Sequence, residues 1–239
     1  MFGRTVGVFA VLSFCFVQLG AAQQAPAAPA GTRDHAAAVK ESLQKSMAAL
    51  RQYQWVETTV VSMKGEEKSR TENTCSYGAD GKVQKTPIAA PAQEEGKSKR
   101  GVRGKIVANK KEEMSEAMKE AVGLVKQYVP PDPARIQAAK DAGKITATPP
   151  DSQGQVRVVI KDYLKAGDSL TVDVNAASDR ILGVTVATFT DKAKDVVDLK
   201  VAFGAFADAT VYPEKMNLGV AAQNLAVAIT NSGYKKLGG

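Results

Sequence analysis

The sequence predicts an α+β fold: a curved antiparallel sheet of about eight or nine strands, an open half-barrel, covered by an N-terminal helix and two inserted helices. Three observations predict it. From Val156 onward, apolar and polar residues alternate in short runs separated by turn residues, the pattern of antiparallel strands with one face buried and one wet. Three more strand-like runs lie between Gln54 and Ile88. Helical spacing, with an apolar residue every third or fourth position, occurs before the first strand set and between the two sets. A sheet of that size twists strongly and can curl around the helices.

The chain has 239 residues, of which 44% are hydrophobic, 6% aromatic and 24% charged, which excludes a wholly disordered or collagen-like protein. Residues Met1 to Ala22 read MFGRTVGVFAVLSFCFVQLGAA. One cation, an apolar run and a small-residue cut site in that order make a secretory signal peptide, so the protein is expected to be exported, periplasmic or secreted. The apolar run is short for a bilayer span. Lipid attachment at Cys15 is disfavoured, because bulky Phe14 precedes it where such signals want a small residue. The mature chain keeps Cys75 as its single thiol, expected to be a buried residue on a strand rather than a reactive group.

Residues 23–33 form an Ala/Pro tether, and 34–239 a single half-barrel domain with a helical insertion at about 105–143. The first helix starts near Asp34 and carries Val39, Leu43, Met47 and Leu50 on one stripe. The runs Gln54 to Lys64, Glu66 to Tyr77 and Lys82 to Ile88 follow, joined at Lys64-Gly65 and Ala79-Asp80-Gly81, which are hairpin signals. Ala89 to Gly104 reads as a loop. A long helix spans Lys105 to Val129 and stops at Pro130 and Pro131. The next helix is marked by Asp132 as cap, Pro133 at its first position and Gly143 beyond its end. Six alternating runs complete the chain, beginning at Val156, Leu170, Ile181, Val197, Thr210 and Leu225.

The charge is uneven. Loss of the signal leaves 31 cations against 25 acids, while Asp151 to Gly239 is neutral. Lys97, Lys99, Arg100, Arg103, Lys105, Lys110 and Lys111 cluster without an acid among them. They are either a solvated approach to the long helix or a contact for an anionic membrane surface. Nucleic acid is not an expected partner, since export removes the chain from it and no aromatic residue interleaves the run. His35 is the only histidine and sits at a helix start, so no nucleophile has an evident imidazole base. There is no metal-ligand spacing and no phosphate loop, so no cofactor or metal is expected. Asp162, Asp173 and Asp198 alternate onto the wet face of their strands; carboxylate-only catalysis stays open but has no positive signal.

The first helix running into QYQWVETTVVSMKGEEKS, the inserted helices, and the closing DLKVAFGAFADATVYPEKMNL and LAVAITNSGYKKL together resemble the periplasmic lipoprotein carrier and receptor (Lol-type) fold superfamily. The resemblance is one of layout across nearly the whole mature chain. This sequence differs by its basic segment and its Pro-Pro-Asp-Pro stretch. In that superfamily an unclosed barrel lidded by helices accepts acyl chains. The resemblance therefore implies a non-catalytic envelope protein that binds an apolar or acylated ligand between sheet and helices; residue type and placement nominate Trp55, Met114, Met118, Val125 and Phe203 as its lining. The other reading is a structural or protein-interaction module of the envelope whose core is filled by these same side chains, with another envelope protein as partner. Shared fold does not by itself carry shared function.

Overall fold

The computed structural model describes residues 35–88, 102–190 and 195–238, with the backbone path alone for His35 and for 102–111. The expected signal peptide with Cys15, the expected tether, and Lys97, Lys99 and Arg100 lie outside the described residues. Arg103, Lys105, Lys110 and Lys111 are placed on a helix by their backbone.

Helix α1 runs His35–Leu50, followed by strands β1 (Tyr53–Met63), β2 (Glu66–Tyr77) and β3 (Val83–Pro87). Helices α2 (Val102–Val125) and α3 (Pro133–Asp141) come next. Strands β4 (Ile145–Ala147), β5 (Gln155–Lys161), β6 (Ser169–Asn175), β7 (Arg180–Phe189), β8 (Val196–Ala205), β9 (Val211–Val220) and β10 (Leu225–Lys236) complete the chain. Among the described residues, all ten strands form one open antiparallel sheet, in the order β3-β2-β1-β10-β9-β8-β7-β6-β5-β4. The sheet is curved, in an α+β layout with three helices. The tenth strand, beyond the eight or nine read from the sequence, is β4. Three residues are too few to display a period, and Ile145 to Ala147 are held by their partners Ile160 to Val158.

The pairing that organises this order is β1 with β10, from Tyr53↔Lys236 to Met63↔Leu225. It joins the N-terminal strand set to the end of the C-terminal meander. Strands β3 and β4 thereby become opposite edges of the sheet. The chain between them must cross the whole face, about 43 Å for nine strand spacings laid flat. Helix α2, at 24 residues, spans about 36 Å. That crossing lays the inserted helices over the sheet.

Local chemistry explains the breaks between elements. Lys64 and Gly65 both have positive φ, at 54° and 79°, as a two-residue hairpin turn matched to strand twist requires. Asp132 caps α3 by accepting from the Ala134 amide at 2.8 Å, with Pro133 inside the first turn. Helix α2 ends at Val125, before the predicted Val129. Residues Gln127 and Tyr128 instead donate to carbonyls three back, which tightens the last turn ahead of the prolines.

Apolar residues from the covered face of the sheet and from the helices join one cluster. It includes Ile160, Leu170, Val184, Val186, Leu199, Val201, Met216, Leu218, Val227, Ile229 and Val61 from the strands, with Met118, Ala121, Val125 and Tyr128 from the α2 segment. Val39 and Leu43 of α1 pack against it. Ser46, a polar residue on the same helix, is buried and accepts from the Val211 amide at 2.9 Å. Hydrogen bonding of that kind fixes how α1 seats on β9 beyond what apolar contact specifies.

Leu199 faces Val186 on one side and Leu218 on the other. Leu199→Ala is expected to lower the unfolding free energy by roughly 2 to 5 kcal/mol, while Val196→Ala, at a position 46% exposed on the same strand, changes it by less than about 0.5 kcal/mol. Urea unfolding followed by circular dichroism checks both.

Candidate functional site

Paired residues of neighbouring strands share a face, so the registers give the composition of the covered face directly. From β5 to β10 it is apolar: Ile160 faces Leu170, then Val186, Leu199, Leu218 and Val227 in successive pairings. On β1 the composition changes along a single strand. Val61, opposite Val227, belongs to the apolar cluster. Thr59, Glu57 and Trp55 follow at two-residue spacing and are buried too.

Glu57 is 6% exposed. Its carboxylate accepts from Lys85 Nζ at 2.6 and 2.8 Å and from Thr59 Oγ1 at 3.3 Å. Lys85 reaches it from the edge strand β3, through the row Trp55, Cys75, Lys85 across β1, β2 and β3. Beside this pair, Trp55 Nε1 donates to Asn231 Oδ1 at 3.1 Å. Asn231 Nδ2 in turn donates to the Pro213 carbonyl. Cys75 is fully buried. Burial first, and the Glu57 carboxylate second, push its thiol up to about 11, so it stays protonated and unreactive at neutral pH.

The second polar set holds the end of α2. Tyr128 donates to Asp168 Oδ2 at 2.5 Å and lies 2.7 Å from Thr188 Oγ1. Asp168 also accepts from the amides of Leu164 and Lys165. Tyr163 lies against Tyr128 in a tilted ring contact and accepts from the Asp132 amide at 2.6 Å. Burial, then the Asp168 hydrogen bond, raise the Tyr128 hydroxyl above the ordinary tyrosine value. This network anchors the α2–α3 connection to the β5–β6 turn and to β7.

The predicted ligand residues separate into two groups. Met118 and Val125 are buried in the apolar cluster, and Met114 and Phe203 pack against it half-buried. Trp55 lies instead in an aromatic group with Tyr77 and Tyr234, at centroid distances of 5.5 and 5.7 Å. Two of the three carboxylates singled out for strands lie there: Asp173 pairs with Arg157 at 2.7 Å, and Asp198 sits within β8. Asp162 does not. It occupies the turn after β5 with φ 51°, because its carboxylate accepts from the Gly167 amide and pairs with Lys144 at 3.3 Å. The Gly167 amide, then Lys144, hold its carboxyl below the usual range. Among the described residues, no group of three or more His, Cys, Asp or Glu could hold a metal ion, and no helix is long and apolar enough to cross a membrane.

Sequence reading missed Glu57, Lys85, Tyr128's partners and Asn231. For Glu57 the signal was present: strict alternation from Trp55 through Thr59 to Val61 puts a carboxylate on the buried face.

No protein-family model and no curated protein sequence matches the chain. Among solved structures it is similar to a DUF1329 family protein from Desulfovibrio piger, at 8% identity over 87% of this chain and 95% of that one, with a TM-score of 0.37. It is also similar to a LolA superfamily protein from Nitrosomonas europaea, at 8% identity over 83% of this chain and 93% of that one, with a TM-score of 0.36.

Two outcomes test the polar end. Lys85→Met leaves the Glu57 charge buried without its partner and is expected to cost roughly 2 to 3 kcal/mol, at the low end for buried pairs because the Lys85 side chain is 19% exposed; urea unfolding measures it. Cys75 is expected to resist a thiol-specific reagent at pH 8 in the native protein and to react in urea. Because its folded value is raised, the stability it contributes is complete below the ordinary thiol value and is lost as pH rises through about 11.

Proposed function

We propose that this chain is an exported, non-catalytic envelope protein that binds an apolar or acylated ligand between the covered face of its sheet and helix α2. The observation that carries this reading is the continuous apolar face from β5 to β10, covered by a helix whose sheet-facing side chains include Met114 and Met118. Methionine is flexible and polarisable and repacks around chains of varied shape. The Tyr128 network tethers the α2 segment past its C-terminal end, so ligand entry proceeds by displacement of the helix around Met114, at its middle. The ligand's chain then takes up the contacts that the helix stripe leaves, with Val125 and Phe203 lining the same space and Trp55 at its margin. The cations from Lys97 to Lys111 precede Met114 in the chain. They provide an approach to anionic headgroups worth about 1 kcal/mol each when close to a membrane.

The rival reading is an envelope interaction module with a closed core. Its supporting observation is that Met118 and Val125 are 4% and 1% exposed, filling the space beneath the helix with the protein's own side chains.

Titration of the purified protein with saturated fatty acids of increasing length separates the two. The carrier reading expects saturable binding that tightens about fourfold per added CH₂, the equivalent of about 0.8 kcal/mol. A linear, unsaturated response, together with native mass spectra free of co-purified lipid, would leave the interaction module.

A further inference from the structure

The covered face is graded in polarity, and the grading gives a ligand a direction. Ile229 and Val61 end the apolar part. Thr59 on β1 faces Ile229, and at the next same-face position Glu57 faces Asn231 on β10. Across the next ladder the same face carries Thr71 opposite Thr59 and Asn73 opposite Glu57. Thr71 is exposed and Asn73 half-buried. The Glu57–Lys85 pair therefore stands where the apolar face gives way to a polar stretch, with buried Trp55 and Cys75 on its far side. An amphiphile laid along this face has its chain over β10 to β5 and its head at that boundary.

The pair also restricts the head. A largely buried ion pair adds little to stability compared with well-packed apolar residues, so stability alone does not account for it here. Its two charges already neutralise one another at 2.6 Å. An anionic head that drew Lys85 away would leave Glu57 buried and unpaired, and a cationic head would do the same to Lys85. A head carrying both signs aligns its anion with Lys85 and its cation with Glu57, and leaves no charge uncompensated.

Resting on the carrier reading above, we propose that Glu57 and Lys85 form a headgroup site selecting zwitterionic amphiphiles, such as those with a phosphate–ammonium head, over singly charged or neutral ones. The test uses three single-chain lipids with the same acyl group: a lysophosphatidylethanolamine, a lysophosphatidylglycerol and a monoacylglycerol. Each is titrated calorimetrically below its micelle concentration. The expected result is that the zwitterionic lipid binds about tenfold more tightly than the other two. In the double variant Glu57→Met/Lys85→Met the ratio falls to about one. Equal affinity for all three in the native protein, or a preference for the anionic or neutral lipid, would overturn the headgroup site while leaving chain binding in place. Saturable binding of none would overturn the carrier reading and this proposal together. The comparison within the native protein stands even if the double variant fails to fold.

Discussion

The ladder between β1 and β10 is the constraint from which the rest of the architecture follows. Without it the protein would be a three-stranded piece and a seven-stranded piece, each with open edges. With it, one sheet runs from β3 to β4, and the chain that links those two strands has only the covered face to cross. The junction is held by more than its hydrogen bonds. The register shifts between Gln54 and Val56, so that Trp55 faces two residues, Gly233 and Tyr234. Gly233 takes φ 62° there, the left-handed conformation that a bulge of this kind favours. Tyr234 stacks on Trp55, and Tyr212 and Phe206 join it at 4.5 and 5.3 Å. Ring contacts of this type contribute about 0.5 to 1.5 kcal/mol each beyond area burial, and they fall where the two halves of the sheet meet.

The rest of the face divides its work between apolar contact and a few polar fixtures. Apolar burial is non-directional and would tolerate small slides of α1 and α2 along the sheet. Ser46 on the Val211 amide and Tyr128 on Asp168 and Thr188 are directional, and each sets one helix at one position. Among the described residues, no buried side-chain nitrogen or oxygen lacks a hydrogen-bond partner. Polar groups placed in this interior thus add specificity of position without the cost of an unmade bond. Tyr128 holds the α2 segment at its end, where it meets the β5–β6 turn. Met114, near the middle of the helix, is half-buried.

Much of this was legible from residue types alone. The strict alternation at Val197, Leu199 and Val201 reports a half-buried strand wherever it occurs, and Asp132-Pro133 reports a helix start, because both signals are local. Strand β4 was invisible since Ile145 to Ala147 have no local preference that survives without β5 beside them. Asp162 looked like a strand residue by extension of the Val156 to Lys161 pattern, yet its side chain bonds to Gly167 and bends the chain instead. Glu57 was readable by face and not by role: alternation places it inside, but nothing nearby in sequence announces a lysine 28 residues later as its partner.

By itself the sequence determined the class of fold, the number of strands to within one or two, which face is dry on the strictly alternating strands, and where the helices sit in the order. These depend on side-chain periodicity and on backbone preferences at Pro, Gly and Asp, which act over a few residues. The tertiary structure alone decided that β1 closes on β10, that the helical insertion therefore crosses the covered face, and that Glu57, Lys85, Asn231 and Trp55 converge at one margin of it. Those outcomes come from hydrogen-bond ladders and ion pairs between residues as far apart as Tyr53 and Lys236, and contacts at that separation leave no periodic trace along the chain.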